Sequence, residues 1–351
     1  MKMTKKFIFI SFAVILTISL AALTGCNKRA KSANARASVL SAVEKEAAFL
    51  TEPASQRIIR IGYSGGFCQA AVAIAQHKGY YAAEGLKTEL TRSEDARDAI
   101  AGGKIDTSAG MIAGWLKPIT NGIDLRFTVG LHTGCTSAFV LANSNITKFE
   151  KGQTVAISGG IGGVYHNQSY RFIANDGFVP EDFSWRDFPA DQTLLILQSG
   201  RADVAVIGDQ LAERWVSDGL LRRIRSLHED PDFKDESCCV MGIAGPFFDE
   251  NPVTSEKISR AVYRASLWID ANDENKAEAA KILLENGYIS GTEEYAVQLF
   301  KLFRFGLPNS VTEKSLYDSV DAYQALGVID KNVNADDVKA QIWVPLDIES
   351  F

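Results

Sequence analysis

One ten-residue pattern occurs twice in this chain, and it restricts the fold more than any other feature. Ile100-Ala101-Gly102-Gly103-Lys104-Ile105-Asp106-Thr107-Ser108-Ala109 and Leu197-Gln198-Ser199-Gly200-Arg201-Ala202-Asp203-Val204-Ala205-Val206 share the order helix, glycine, basic residue, Asp, buried strand. Glycine suits the left-handed cap of a helix, a basic residue suits its negative end, and Asp fits the turn before a strand. Two readings stand: an ordinary helix-to-strand connection used twice, or two similar lobes, each a small open sheet. Two lobes imply a cleft.

The surrounding pattern is that of an α/β protein with mostly parallel sheets. Strands are expected at 58–63, 86–91, 107–110, 125–131, 154–158, 183–188 and 204–207, with helices at 68–76, 95–101, 164–175, 193–197 and 210–217. After about residue 251 the strands stop. Helices are expected at 255–269, 276–284, 292–303 and 312–326, with Gly287, Gly306 and Gly327 as stop signals. At 351 residues and 46% hydrophobic the chain can bury a large core, and 23% charge excludes a collagen-like or disordered composition. Five cysteines are too few for a disulfide-stapled miniprotein, and the absence of a Lys/Arg run argues against a nucleic-acid partner.

The N-terminus carries an address. Residues 1–25 run from a basic start through an apolar stretch, 7–23, to small residues ending at Gly25, the layout of a secretory signal. Leu23-Thr24-Gly25-Cys26 resembles a bacterial lipobox, in which the cysteine thiol is joined to a lipid and becomes the new N-terminus; a transmembrane anchor and a plain signal peptide are the alternatives. Losing Lys2, Lys5 and Lys6 takes the net charge from −6 to −9. Residues 26–56, rich in Ala, Ser, Lys and Arg with a short helical stretch near 38–50, read as a tether that keeps the body near a membrane partner.

The body resembles a known family, the substrate-binding proteins of ABC importers of the nitrate, sulfonate, taurine and thiamine-precursor group. The resemblance rests on Ile61-Gly62-Tyr63, on Gly79-Tyr80-Tyr81-Ala82-Ala83-Glu84-Gly85-Leu86, on Gly103-Lys104-Ile105-Asp106, on the stretch 151–158 and on Ala202-Asp203-Val204-Ala205. It implies the type II periplasmic-binding-protein fold with two lobes, a central cleft and a helical C-terminal region. Lobe one would comprise 57–140 and 240–345, lobe two 141–239, with crossings near 140–146 and 235–241. It further implies a monomeric, extracytoplasmic, lipid-anchored protein without enzyme activity or cofactor, partnered by a small-molecule ligand and by ABC permease and ATPase subunits.

In open α/β sheets ligands settle outside the carboxyl ends of the strands. That rule names the cleft wall: Ser64, Gly65, Gly66, Phe67 and Cys68 after the first strand, Gly110 and Trp115 after the third, and His132, Thr133, Gly134 and Cys135 after the fourth. From the second lobe come Ser158, Gly159, Gly160, Ile161, Gly162 and Gly163, with Asp209 after a later strand. The glycine run lets backbone N–H groups approach an anion at a helix start, or is a turn needing positive φ. It lacks the order of a dinucleotide fingerprint. The resemblance implies a ligand of the nitrate, sulfonate or pyrimidine type. No arginine stands in these loops, which counts against a bidentate oxyanion clamp and so against a sulfonate, and leaves an uncharged or aromatic ligand, or a thiol-bound, soft-metal-containing one, in play.

Cys68, Cys135, Cys238 and Cys239 all fall on segments expected to face the cleft, and His132 precedes Cys135 by three residues. Such soft donors suit a thiophilic metal or a metal-containing ligand. Disulfides, core thiols and a Cys135–His132 nucleophile pair are the other readings, the last without a third orienting group; Cys238 and Cys239 are too close to bridge each other without strain. His166 is a ligand donor or an exposed helix cap, Trp115 a stacking platform or core, and Asp209 an acceptor or a cap. His77 and His228 read as structural or surface residues, and the charge alternation at 84–97 as a solvated face. An enzyme related to pyrimidine-precursor synthases and a sensory module are the competing functions.

Overall fold

The computed structural model describes residues 41–93 and 95–349. The expected signal sequence, the expected lipidation site Cys26 and the first half of the expected tether, 26–40, lie outside the described residues. The described residues divide into two units, 41–51 and 52–349. In the first, the helix Ala42–Thr51 starts with a reciprocal cap: Ser41 N–H donates to Glu44 Oε2 (2.8 Å) and Glu44 N–H to Ser41 Oγ (3.4 Å).

The second unit begins earlier than residue 57. The Glu52 carboxylate accepts from the N–H groups of Val253 and Thr254, both at 2.7 Å, capping the helix Pro252–Asp270. The tether reading is therefore too long at its C-terminal end, because residues 52–56 belong to the body. Two five-stranded sheets follow. The first has the order β2 (Thr88–Arg92), β1 (Ile59–Tyr63), β3 (Thr107–Met111), β10 (Ser237–Ala244), β4 (Leu125–Thr133). The second is ordered β7 (Ser184–Asp187), β6 (Thr154–Ile157), β8 (Val204–Gly208), β5 (Thr136–Leu141), β9 (Leu221–Ser226).

These orders are the same order twice. Each sheet has three parallel strands, then one antiparallel strand entering from the other sheet, then an edge strand. The repeated sequence pattern leads into the third strand of each sheet, β3 and β8. Gly103 (φ 62°) and Gly200 (φ 67°) both take the left-handed conformation. Asp106 N–H donates to Arg60 O and its carboxylate accepts from Arg60 N–H; Asp203 does both with Thr154, all at 2.7–2.8 Å. One aspartate per lobe pins the start of the third strand to its parallel neighbour, β1 or β6. Arg57 and Arg60 add ion pairs to Asp106 at 2.8 and 2.9 Å.

The sheets are joined at two places. The chain leaves β4 at Thr133 and enters β5 at Thr136, and it returns between β9 and β10 through 227–236. The first crossing thus falls at Gly134-Cys135, not near 140–146, because 136–141 is a strand of the second sheet. The second lies ahead of 235–241, most of which is β10. The core of the first sheet gathers Leu125, Phe127, Trp115, Leu116 and Val240 against Leu316, Val320 and Tyr323 of the C-terminal helix Asn309–Ala325. That of the second gathers Phe139, Ala205, Ile207 and Leu197. Each large side chain so buried contributes about 1.5–3 kcal/mol. Among the described residues no helix is long and apolar enough to cross a membrane. Glu84, expected on a solvated face, is buried and bonded to Arg260 (2.8 and 3.0 Å).

Candidate functional site

Four soft donors meet where the first sheet ends. One donor atom each from Cys68, His132, Cys135 and Cys239 lies within 4.8 Å of the others. Cys68 stands in the turn Phe67–Gln69 after β1, His132 is the penultimate residue of β4, Cys135 sits in the first crossing, and Cys239 is in β10. Pairing between β10 and β4 is irregular at 237–240, so neighbouring residues both reach Cys135: its Sγ is 3.0 Å from that of Cys238 and 3.9 Å from that of Cys239. All four cysteines are free thiols, Cys68 half-buried and the rest buried.

His132 is fully buried between Phe303 and Phe305, with ring centroids 5.3 Å apart in both cases. Its Nδ1 lies 2.8 Å from Thr133 O and its Nε2 3.2 Å from Cys68 O. A carbonyl only accepts, so each ring nitrogen that bonds one does so as a donor, the shorter bond holding the Nδ1 proton and the longer one favouring a second proton on Nε2. Burial alone would lower the pKa of this ring, but the Cys68 thiol and the two carbonyls outweigh it and raise the value. The hydrogen bond with Cys238 pushes the Cys135 thiol up to about 11, whereas Cys238, accepting from Cys135 and Cys239, falls. The cluster is held by a tight crossing. Gly134 has φ 51°, and a Cβ there would lie 2.5 Å from His228 Cβ and 2.9 Å from its Cα, so the two crossings press together only because this residue lacks a side chain.

The glycine turn departs from expectation. Gly160 N–H donates to Asp187 Oδ1, Gly162 N–H to His166 Nδ1 and Gly163 N–H to Gly160 O, each at 3.0 Å. Three of the five amides expected to cradle an anion are already taken, and a carboxylate stands among them. Gly159, Ile161 and Gly162 are exposed, Ser158 is buried. His166 is no exposed cap: it is buried, packs against Tyr170 and Trp185 at 4.6 and 4.9 Å, and burial lowers its pKa.

Other expected wall residues turn inward. Trp115 is 3% exposed within the first core and lies over Gly110, which excludes it as a stacking platform. Phe67 packs edge-on against Phe300 at 5.2 Å. Thr133 is bonded to the backbone of Arg304. Asp209 is fully buried; its Oδ1 accepts from Ser137 (2.7 Å) and Arg223 (3.2 Å), and His228 lies 3.4 Å from Oδ2, so it anchors the second sheet and the return crossing. Cys238 lies outside the convergent set of four. Ser64 is exposed; Gly65 and Gly66 are half-buried under Tyr288 O and the Gln210 side chain.

Gln210, in the strand-end segment 208–210 expected at the wall, and residues that the sequence did not single out connect the two lobes. Gln210 Oε1 accepts from Phe67 N–H (3.2 Å), and its backbone O accepts from Tyr295 OH (2.8 Å). Asn167 Nδ2 donates to Ala113 O (3.0 Å), and Tyr323 OH to Gln168 Oε1 (3.3 Å). Tyr165, near the start of the helix Val164–Asn175, has its hydroxyl against Gly208, where the Cys135 carbonyl also lies, and burial first, then the charges of the cysteines, raise its pKa well above normal. Its position one turn past a strand-end glycine loop was the available signal. Beside Cys238 a cavity of about 20 Å³, water-sized, is lined by Met111, Gln168, Arg171, Glu236 and Tyr323. Arg171 there is bonded bidentately to Glu236 (2.8 and 2.9 Å), so its fork is not offered to an oxyanion.

The same fold occurs in the periplasmic nitrate-binding protein of Synechocystis PCC 6803 (TM-score 0.67, 16% identity, 82% of this chain and 86% of that one). It occurs in the alkanesulfonate-binding protein of Xanthomonas axonopodis pv. citri bound to MOPS (0.65, 16%, 82% and 98%) and in the aliphatic sulphonate-binding protein of Escherichia coli (0.65, 17%, 82% and 97%). Comparison with curated protein sequences finds no significant match. Two repeated sheets of this periplasmic-binding type carry the sequence signature of a defined family over residues 52–284, and the chain belongs to the NMT1-like family.

Proposed function

We infer that this protein is the extracytoplasmic solute-binding component of an ABC importer. It captures a small solute between its lobes and hands it unchanged to a permease driven by an ATPase. The observation that carries this reading is the duplicated sheet order joined by two adjacent crossings, with the loops after β1 and β4 meeting those of the second sheet. Contacts such as Phe67 to Gln210 exist only when the lobes are together, so a solute touching both sides shifts the hinge toward closure. Family membership and the three solute-binding proteins of like fold support the same reading.

In this reading Ser64, Gly65, Gly66, Cys68, Gly134 and Cys135 are the first-lobe wall. Cys26 carries lipid, and the following residues tether the body as a monomer at the membrane. The test is uptake. Deleting the gene abolishes high-affinity uptake of whichever solute raises the protein's melting temperature, and Cys26→Ala releases the protein from the membrane fraction. Undiminished uptake in the deletion strain contradicts the reading.

A further inference from the structure

Capture of an organic solute or an oxyanion does not call for three thiols and an imidazole at one point, yet three segments far apart in sequence deliver them there. Their donor atoms lie within 4.8 Å of one another. The Cys135–Cys239 separation of 3.9 Å is close to the edge, about 3.8 Å, of a tetrahedron with ~2.3 Å metal–sulfur bonds.

We propose that Cys68, His132, Cys135 and Cys239 bind a thiophilic divalent metal ion of the zinc kind, and that this ion, bare or in a small complex, is the cargo. The cargo half rests on the importer reading; the coordination half rests on geometry. Three thiolates and a neutral imidazole around a divalent ion leave one net negative charge, whereas a monovalent ion leaves two in a buried site. Hard ions such as Mg²⁺ and Ca²⁺ require oxygen donors, which this set lacks. Each thiol releases its proton to solvent as the metal–sulfur bond forms, and no electron changes hands.

The surroundings fit a metal ligand set. His132 has Nδ1 against the Thr133 carbonyl, the outer-shell bond that orients a ligating imidazole. Phe303 and Phe305 flank the ring. Cys68 is half-buried on a loop that touches Gln210, and the Tyr165 hydroxyl of the second lobe and the Cys135 carbonyl both lie against Gly208, so parting the lobes would open the cluster to solvent. Cys238, 3.0 Å from Cys135 but outside the convergent set, is the internal control.

The test uses the purified full-length protein, reduced and stripped with a chelator, titrated with Zn²⁺ against a chromophoric competitor. Co²⁺ then serves as a spectroscopic reporter of thiolate ligation. One equivalent binds. Cys135→Ser and Cys239→Ser each weaken binding by about 100-fold or more, while Cys238→Ser keeps the stoichiometry with affinity within about tenfold. Circular dichroism checks folding, and if the buried variants fail to fold, Cys68→Ser on the half-buried turn gives the same reading. Zinc that does not bind, or binding indifferent to these substitutions, overturns the proposal, as does a Cys135–Cys238 disulfide whose reduction restores no binding. Failure with zinc alongside a melting shift from an organic solute overturns the metal site and leaves the importer reading standing. Tight zinc binding with unchanged zinc uptake in the deletion strain overturns the cargo assignment and leaves the coordination site.

Discussion

The two lobes share one strand order and differ in what stands at the ends of their strands. In the first, the loops after β1 and β4 bring Cys68, His132 and Cys135 to Cys239 of β10. In the second, the loop after β6 is a glycine turn closed on itself by Asp187 and His166, and the residue after β8, Asp209, is buried among Ser137, Arg223 and His228. A duplicated scaffold thus carries reactive donors on one side and a self-satisfied cover on the other. The topology says where a ligand sits; the side chains at each strand end say which lobe supplies the chemistry.

This asymmetry can be broken in steps. The largest effect falls on the first lobe's donors, where losing one thiol costs about 100-fold or more in zinc affinity, whereas His166→Ala in the second lobe leaves zinc affinity within about threefold; competitive titration of both separates the roles. Next is the crossing. Gly134→Ala introduces a Cβ against His228 at positive φ, so chemical denaturation should show a loss of about 3 kcal/mol.

The matched aspartates come third. Asp106→Asn removes a buried carboxylate serving Arg57, Arg60 and the Arg60 amide, at about 2 kcal/mol because both arginines are part-exposed and screened. Asp203→Asn keeps an acceptor for the Thr154 amide and gives up only the charge on one bond, at about 1 kcal/mol or less. Burial alone would raise the Asp106 pKa, but Arg57 and Arg60 override it and hold the value below 3.8. Its contribution is therefore complete above about pH 4 and is lost as pH falls through the depressed folded value, so acid unfolding of Asp106→Asn should begin at higher pH than that of Asp203→Asn. Smallest are Gly103→Ala and Gly200→Ala, at equal left-handed positions in open space. Each costs about 1 kcal/mol, and unequal losses on denaturation would show that the repeat is not energetically equivalent.

The repeat was legible because helix caps and strand-entry aspartates are local devices written in adjacent residues. Three strands were not legible, each for a physical reason. β9, Leu221-Arg222-Arg223-Ile224-Arg225-Ser226, looks like a charged surface, yet Arg223 and Arg225 lie on Phe139 and Phe172 and pair with acids around them. β5 and β10 flank the crossings, and a sequence does not mark where a chain changes sheets. The helix Ile112–Thr120 was hidden by Gly114, which Val164 covers, and by Pro118. The convergence of the cysteines was readable as strand-end placement. That Cys238 would fall outside it was not, because irregular pairing in β10 is a tertiary outcome.

The most direct measurement is X-ray absorption at the zinc edge on the full-length protein loaded with one equivalent of metal. The account predicts a first shell of three sulfurs at about 2.3 Å and one nitrogen at about 2.0 Å. A shell of oxygen and nitrogen alone, or one unchanged by Cys135→Ser, would contradict it.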